Sequence, residues 1–348
     1  TGGTPLGTGG VFPVRHEHLD VGDLLLLYTD GILERPGRTV AGSTVELARV
    51  VADTAAGRAL HAPGDTPVDR VCSQTVELLV RTTGHRDDIT LLAAQRADPP
   101  PALDLTLPAE PASLRVSRGR IGAWLTDLGV DEHDVFLLQH ALGELLTNAI
   151  EHAPGDGAAG PPVRLEASLD RQGRLEARIA DRGRWREPVR RSMRGRGLAM
   201  TSQLVDDLRV EPAVTGTVAV VRHTLTRPAR TPGAPAVPPP AAGEPAFRIV
   251  EVPSGDAGDV RVEGPVDAQS ADGLRHDLLR RSRGGTLPLT VDLTGVTHLA
   301  SAGVAALHRV SERHAVQGGT LTLRAAPGSP AQHVLTLAAV PDLTVTTP

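Results

Sequence analysis

Lysine is absent from the 348 residues: all 36 basic side chains are Arg, set against 41 Asp and Glu, for a formal net charge of −5. Such a chain has no bulk positive field to draw in nucleic acid or an anionic membrane. Aromatic residues are equally scarce, at three Phe, two Trp and one Tyr. Base stacking along a single strand is therefore excluded as a binding mode, and any core must be built from Leu, Val, Ala and Ile. Cys72 stands alone, which rules out an internal disulfide framework or a cysteine-rich zinc site and fits a reducing, cytoplasmic setting. The longest candidate for a membrane span, Leu24 to Tyr28, is far shorter than the roughly 20 apolar residues a spanning helix needs. The opening Thr1-Gly2-Gly3-Thr4-Pro5 has no initiator Met and no basic or apolar leader, and reads as an internal point of something longer.

Proline, by contrast, is concentrated. Residues 97–111 (ADPPPALDLTLPAEP) and 228–245 (PARTPGAPAVPPPAAGEP) break the apolar periodicity and read as extended linkers. They divide the chain into blocks 1–96, 112–227 and 246–348, each of domain size. The first mixes strands (DLLLLYTDG, ITLLAAQ) with helices from Ser43 to Ala55 and Val68 to Thr82. The second opens with two helices and continues with strands VRLEASL, RLEARIAD, LRVEP and VAVVRHTL, as for a sheet covered by helices on one face. The third alternates strands (FRIVEV, DVRVEG, LTVDL, TLTLRA) with helices. The fold class is multidomain α+β and α/β.

In the middle block, the helix from Asp134 to His152 points Val135, Leu138, Leu142, Leu145 and Ala149 one way. Its other side shows His140, Glu144, Asn148 and His152, four residues apart and stacked along one ridge. A solvated face is the ordinary explanation, yet the ridge carries no Arg. Asp181-Arg182-Gly183 follows an apolar strand, Arg194-Gly195-Arg196-Gly197-Leu198 opens a helix, and Gly216-Thr217 precedes the last strand. Glycines before a helix let backbone N–H groups approach a phosphate. In this order the motifs resemble the histidine-kinase-like ATPase fold, in its anti-sigma-factor serine kinase branch. The resemblance implies ATP and Mg²⁺ as cofactors, with Glu144 as base towards an attacking hydroxyl and Asn148 as a Mg²⁺ ligand. It also implies Asp181 with Gly183 at the adenine, Gly195 and Gly197 with Arg196 between them in the phosphate lid, and Thr217 supporting the adenine contact. Trp185 stands where the family has the second glycine of D-x-G-x-G.

In the last block, Ser301 sits where a helix should begin, and its ordinary role is an N-cap whose oxygen accepts from the first turn. From Phe247 through Glu263-Gly264-Pro265-Val266-Asp267 to Gly318-Gly319-Thr320, the block resembles a STAS domain of the anti-sigma-factor antagonist kind. That resemblance makes Ser301, in Ala300-Ser301-Ala302-Gly303, the phosphoacceptor, with Ala300 replacing the family's Asp.

The first block pairs Thr29-Asp30-Gly31 with His85-Arg86-Asp87-Asp88. Each is an ordinary turn by itself. Together they resemble the later metal motifs of PPM-type phosphatases of the stage II sporulation kind, which implies Asp30 and Asp87 as ligands of Mn²⁺ or Mg²⁺. The early bridging motif of that family would lie upstream of Thr1, so this stretch is expected to be the C-terminal part of a phosphatase β-sandwich without a complete two-metal centre. The three resemblances imply a partner-switching regulator of a sigma factor, in which the middle block phosphorylates a STAS serine, its own Ser301 or that of a separate antagonist. The alternative is a binding module without turnover that holds a sigma factor or antagonist. No nucleic acid or membrane partner is expected.

Overall fold

The computed structural model describes residues 16–58, 66–81, 83–85, 87–98, 100–151, 161–183, 196–213, 216–231, 245–252, 259–338 and 344–346. The chain divides into two units, residues 1–99 with 229–236 and residues 100–228 with 237–348.

In the first unit, β1 (Leu24–Tyr28) pairs antiparallel with β2 (Leu91–Gln95), close to the two runs expected there. Two helices, α1 (Val40–Ala55) and α2 (Pro67–Val80), pack on each other. The start of α2 is written locally: Thr66 accepts from the Asp69 N–H, Asp69 accepts from the Thr66 N–H, and Pro67 supplies a first-turn residue with no donor to satisfy. Ile32, Leu47 and Leu79 form the buried centre.

In the second unit, an antiparallel sheet runs in the order β3-β4-β5-β7-β6, from β3 (Leu103–Leu107), β4 (Val163–Leu169), β5 (Arg174–Asp181), β6 (Asp207–Ala213) and β7 (Gly216–Thr224). Strand β3 corrects the reading of 97–111 as a linker. Its sequence LDLTL alternates buried Leu with exposed polar residues and pairs with β4, so ladder hydrogen bonds and three buried Leu side chains decide its state, while the prolines lie outside the strand. Helices α3 (Ala112–Asp127) and α4 (Glu132–Glu151) share a core with this sheet, and α5 (Arg196–Leu204) packs on α4. Of the second expected linker, residues 232–244 lie outside the described residues.

The same unit holds a second sheet in the order β12-β11-β10-β9-β8, from β8 (Arg248–Glu251), β9 (Asp259–Val266), β10 (Leu289–Leu299), β11 (Leu321–Arg324) and β12 (Thr344–Thr346). Strand β10 lies parallel to β9 and β11 in its centre, with α6 (Ala271–Arg281), α7 (Ser301–Gln317) and α8 (Pro330–Ala338) around it. It runs further than its compact apolar segment because two register shifts against β9, at Asp292/Gly295 and Val296/His298, carry pairing on to Leu299. That extension delivers His298 and the start of α7 to one end of the sheet. Here the two domains interlock: Met200 of α5 and Phe136 of α4 pack into the core of the β10 sheet, and Leu337 of α8 packs against the core of the β4 sheet.

Candidate active site

At His140 and Glu144 the ridge on α4 is buried. Glu144 is 2% exposed, and its carboxylate accepts two hydrogen bonds from one residue of the neighbouring domain. The Ser301 backbone N–H donates to Oε1 at 2.7 Å, and the Ser301 hydroxyl donates to Oε2 at 2.6 Å. Ser301 is the first residue of α7, and Ala300 is the N-cap, with extended backbone and no side-chain cap. The N-cap role expected of Ser301 is thus corrected, because the hydroxyl points away from its own helix. The cap is borrowed: a carboxylate from α4 satisfies the first N–H of α7 and sits at the positive end of its dipole.

Gly197, in the first turn of α5, closes the third side. A methyl group there would lie 2.8 Å from Glu144 Oε2 and 3.5 Å from Ser301 Oγ. Three residues singled out separately from sequence, Glu144, Gly197 and Ser301, therefore meet at one point.

Charged and titratable groups surround that point. Arg118 of α3 donates to Asp267 Oδ2 at 3.1 Å, both side chains being buried, while Asp267 Oδ1 accepts from the N–H groups of Gln269 and Ser270. His140, one turn before Glu144, is fully buried, and its ring centroid lies 5.4 Å from that of His298, which is also buried. Burial holds the His140 imidazole below its ordinary pKa, against the opposing pull of Glu144. Burial, helped by the charge of Arg118 and by His140, holds His298 well below it.

A second group of expected residues collects at the ends of β5 and β7. Asp181 lies opposite Thr217 in the ladder, and its Oδ1 accepts from the Gly183 N–H at 2.7 Å. Gly216 has φ +141, and a side chain there would overlap the Asp181 carbonyl oxygen, so only glycine lets the two strand ends close together. Asp181, Asn148 and Thr217 are half-buried, and Arg196 opens α5. Gly195, Trp185 and His152 lie outside the described residues. The donor set fits a Mg²⁺-nucleotide: a half-buried carboxylate for an exocyclic amine, a carboxamide for the ion, and backbone N–H groups at a helix start for phosphate.

In the first unit, Asp30 and Asp87 are both exposed. Their loops adjoin, since the Thr29 hydroxyl donates to the Asp88 carbonyl at 3.0 Å and Gly31 packs against the same carbonyl. Among the described residues, no group of three or more His, Cys, Asp or Glu could hold a metal ion. Two exposed carboxylates on adjoining loops are a set that Mg²⁺ accepts when it keeps several waters, and no step is derived through a metal in this unit. Among the described residues, no helix is long and apolar enough to cross a membrane.

Three family models match the chain. Residues 1–97 match stage II sporulation protein E (SpoIIE), residues 107–223 the histidine kinase-like ATPase domain, and residues 251–345 the family described as Mlab, STAS domain. The chain thus carries three domain matches in the order SpoIIE, ATPase, STAS. Among solved structures, it is similar to the crystal structure of the RsbU and RsbW domains of Rv1364c from Mycobacterium tuberculosis, with 41% identity, a TM-score of 0.45, and coverage of 65% of this chain and 60% of that chain. Sequence reasoning missed the residues by which the ATPase and STAS domains hold each other: Arg118, Phe136, Met200, Asp267 and His298. Only His140 had left a signal, on a helix ridge with too little charge for a face in water.

Proposed function

We propose that the ATPase domain is an ATP-dependent protein serine kinase whose acceptor is Ser301 of the same chain. The protein would then act in partner switching, where the phosphorylation state of a STAS serine decides whether a sigma factor is held or released. One observation carries the reading: the Ser301 hydroxyl donates to a buried carboxylate at 2.6 Å, the arrangement a general base needs with the hydroxyl it activates. Glu144 would take the hydroxyl proton on Oε2 as Oγ bonds to the terminal phosphorus and the bond from that phosphorus to ADP breaks. Bound Mg²⁺ would neutralise phosphate charge, with Asn148 as its ligand from this chain. Asp181 and Thr217 would orient the adenine, and the start of α5 would offer N–H groups to the phosphates. Because Glu144 also holds the Ser301 N–H, the nucleophile is fixed in direction before nucleotide arrives, and positioning of this kind is the larger part of phosphoryl-transfer catalysis. The SpoIIE domain supports the opposing step, removal of the phosphate, as an activity of a complete phosphatase.

Incubation with γ-labelled ATP tests this. Label on the intact chain is expected to vanish in Ser301→Ala and to fall by about 100-fold or more in Glu144→Gln, in line with removal of a general base. Label that persists in Ser301→Ala but is lost in Glu144→Gln moves the acceptor to another residue. No label and no ATP binding in the wild type supports the competing binding module instead.

A further inference from the structure

The contact that seats Ser301 on Glu144 contains two imidazoles that the chemistry above does not use. His140 has no exposed surface, and neither of its ring nitrogens has a hydrogen-bond partner among the described residues. His298, where pairing resumes after the second register shift in β10, lies against it from the STAS side, with its ring also 3.9 Å from where a methyl on Gly143 would sit. The pair belongs to a row of rings across the domain contact. His133 faces His333 of α8 at 5.5 Å, Phe136 faces His333 at 5.7 Å, and Phe136 adjoins His140 at 6.2 Å. The row follows one face of α4 and ends one turn later at Glu144.

We propose that His140 and His298 are positioning residues that make the seating of Ser301 on Glu144 proton-sensitive: neutral, they pack ring to ring and the domains dock; protonated, they force the domains apart. This deepens the kinase reading by adding a control on the same site.

The charges facing the pair decide the sign. Arg118 of α3 lies on the His298 side, already paired with Asp267 of the turn before α6. Among the described residues, the carboxylate that favours charge on His140 is Glu144 of α4, and both of its oxygens are occupied by Ser301. His133 and His333 stand further along the row, His133 exposed and His333 half-buried. A first proton would thus enter a buried site with no hydrogen-bond acceptor for it, and a second would add a like charge beside the first and beside Arg118. Separated domains expose both rings to water, where an imidazole titrates near pH 6.5. The docked state therefore binds fewer protons than the undocked one, and docking must weaken as pH falls below that value. Above it, docking is insensitive to pH through this pair. Below it, the docking constant drops by up to about tenfold per pH unit for each imidazole, or about 100-fold for both.

The experiment uses the intact chain without nucleotide, so that it reads docking and not phosphoryl transfer. Spin labels at Gln203→Cys on α5 and Ala315→Cys on α7, both exposed, in a Cys72→Ser background, report the distance between the domains. One short distance is expected at pH 7.5, giving way to a long, broad distribution between pH 6.5 and pH 5. The double variant H140Q/H298Q, uncharged throughout, should keep the short distance across the range, and H140L/H298L provides an apolar alternative should the glutamines disturb folding. A wild-type distance that does not change with pH overturns the proposal. So does a pH response that persists in both double variants, since it would then come from groups other than the two imidazoles. A lack of kinase activity with the expected distance changes would sink the proposed reaction and leave the proton-sensitive contact standing.

Discussion

Gly197 leaves no room beside the Glu144 carboxylate, and this fixes what a single methyl would do. At 2.8 Å from Oε2, an added Cβ must push the carboxylate off the line it shares with the Ser301 hydroxyl. Alanine in a helix is worth up to about 1 kcal/mol over glycine, so Gly197→Ala should leave thermal stability unchanged or slightly raised. A shift of about 1 Å in a catalytic group costs on the order of 100-fold in rate. The expected outcome is a folded protein, checked by circular dichroism, that labels Ser301 about 10- to 100-fold more slowly. Gly216→Ala should behave in the opposite way. With φ +141 and the Asp181 carbonyl in the path of its Cβ, it should cost about 1–3 kcal/mol in denaturant unfolding as well as nucleotide affinity. Glu144 and Asn148 were legible because their spacing is a property of one helix. Asp181 with Thr217 was legible only through the order of motifs along the chain. His298 and Asp267 were not legible, since their partners lie far off in sequence, Asp267 being separated from Arg118 by 149 positions.

The helix α7 shows the same division among elements. Its end is local in origin: Gly318 takes φ 78 at the C-cap, as the sequence pattern of a helix followed by Gly-Gly suggests. Its start is not, because Ala300 cannot cap and the carboxylate that replaces a cap belongs to α4, 157 positions away. Strand β3 was hidden in a proline-rich stretch for a related reason, as five residues acquire their structure from pairing with β4. The borrowed cap carries a consequence for signalling. A phosphate on Ser301 would bring a charge of about −1.5 to −2 against a buried carboxylate that until then had accepted two hydrogen bonds. The start of α7 alone would welcome that phosphate, but Glu144 occupies the place, so the product of the reaction should separate the domains. Ser301→Glu, a partial mimic, should give the long interdomain distance at pH 7.5 with the same pair of spin labels, whereas Ser301→Ala keeps the aliphatic contact and the Glu144 bond to the backbone and should remain docked. A short distance in Ser301→Glu would show that the contact tolerates a second negative charge.

At the scale of the unit formed by the ATPase and STAS domains, the question is what makes docking specific, since Met200 and Phe136 supply apolar area without direction. The Arg118–Asp267 pair supplies direction. Both side chains are buried, and Asp267 is held from its own side by the Gln269 and Ser270 N–H groups, so its second oxygen is aimed before the domains meet. Such a pair adds little net stability, because removing two charges from water costs about as much as their attraction returns. Breaking it from one side is different, for it strands a buried charge at about 3–5 kcal/mol. Asp267→Asn keeps the acceptor for Gln269 and Ser270 and removes only the charge that faces buried Arg118. It should therefore lower the stability of the unit by several kcal/mol in denaturant unfolding, and Arg118→Met should do the same by stranding Asp267. Combined, the two substitutions leave no orphaned charge, and most of the loss should be recovered. A double variant as unstable as the sum of the singles would mean that the two residues act independently and that the specificity of docking lies with the ring contacts of α4.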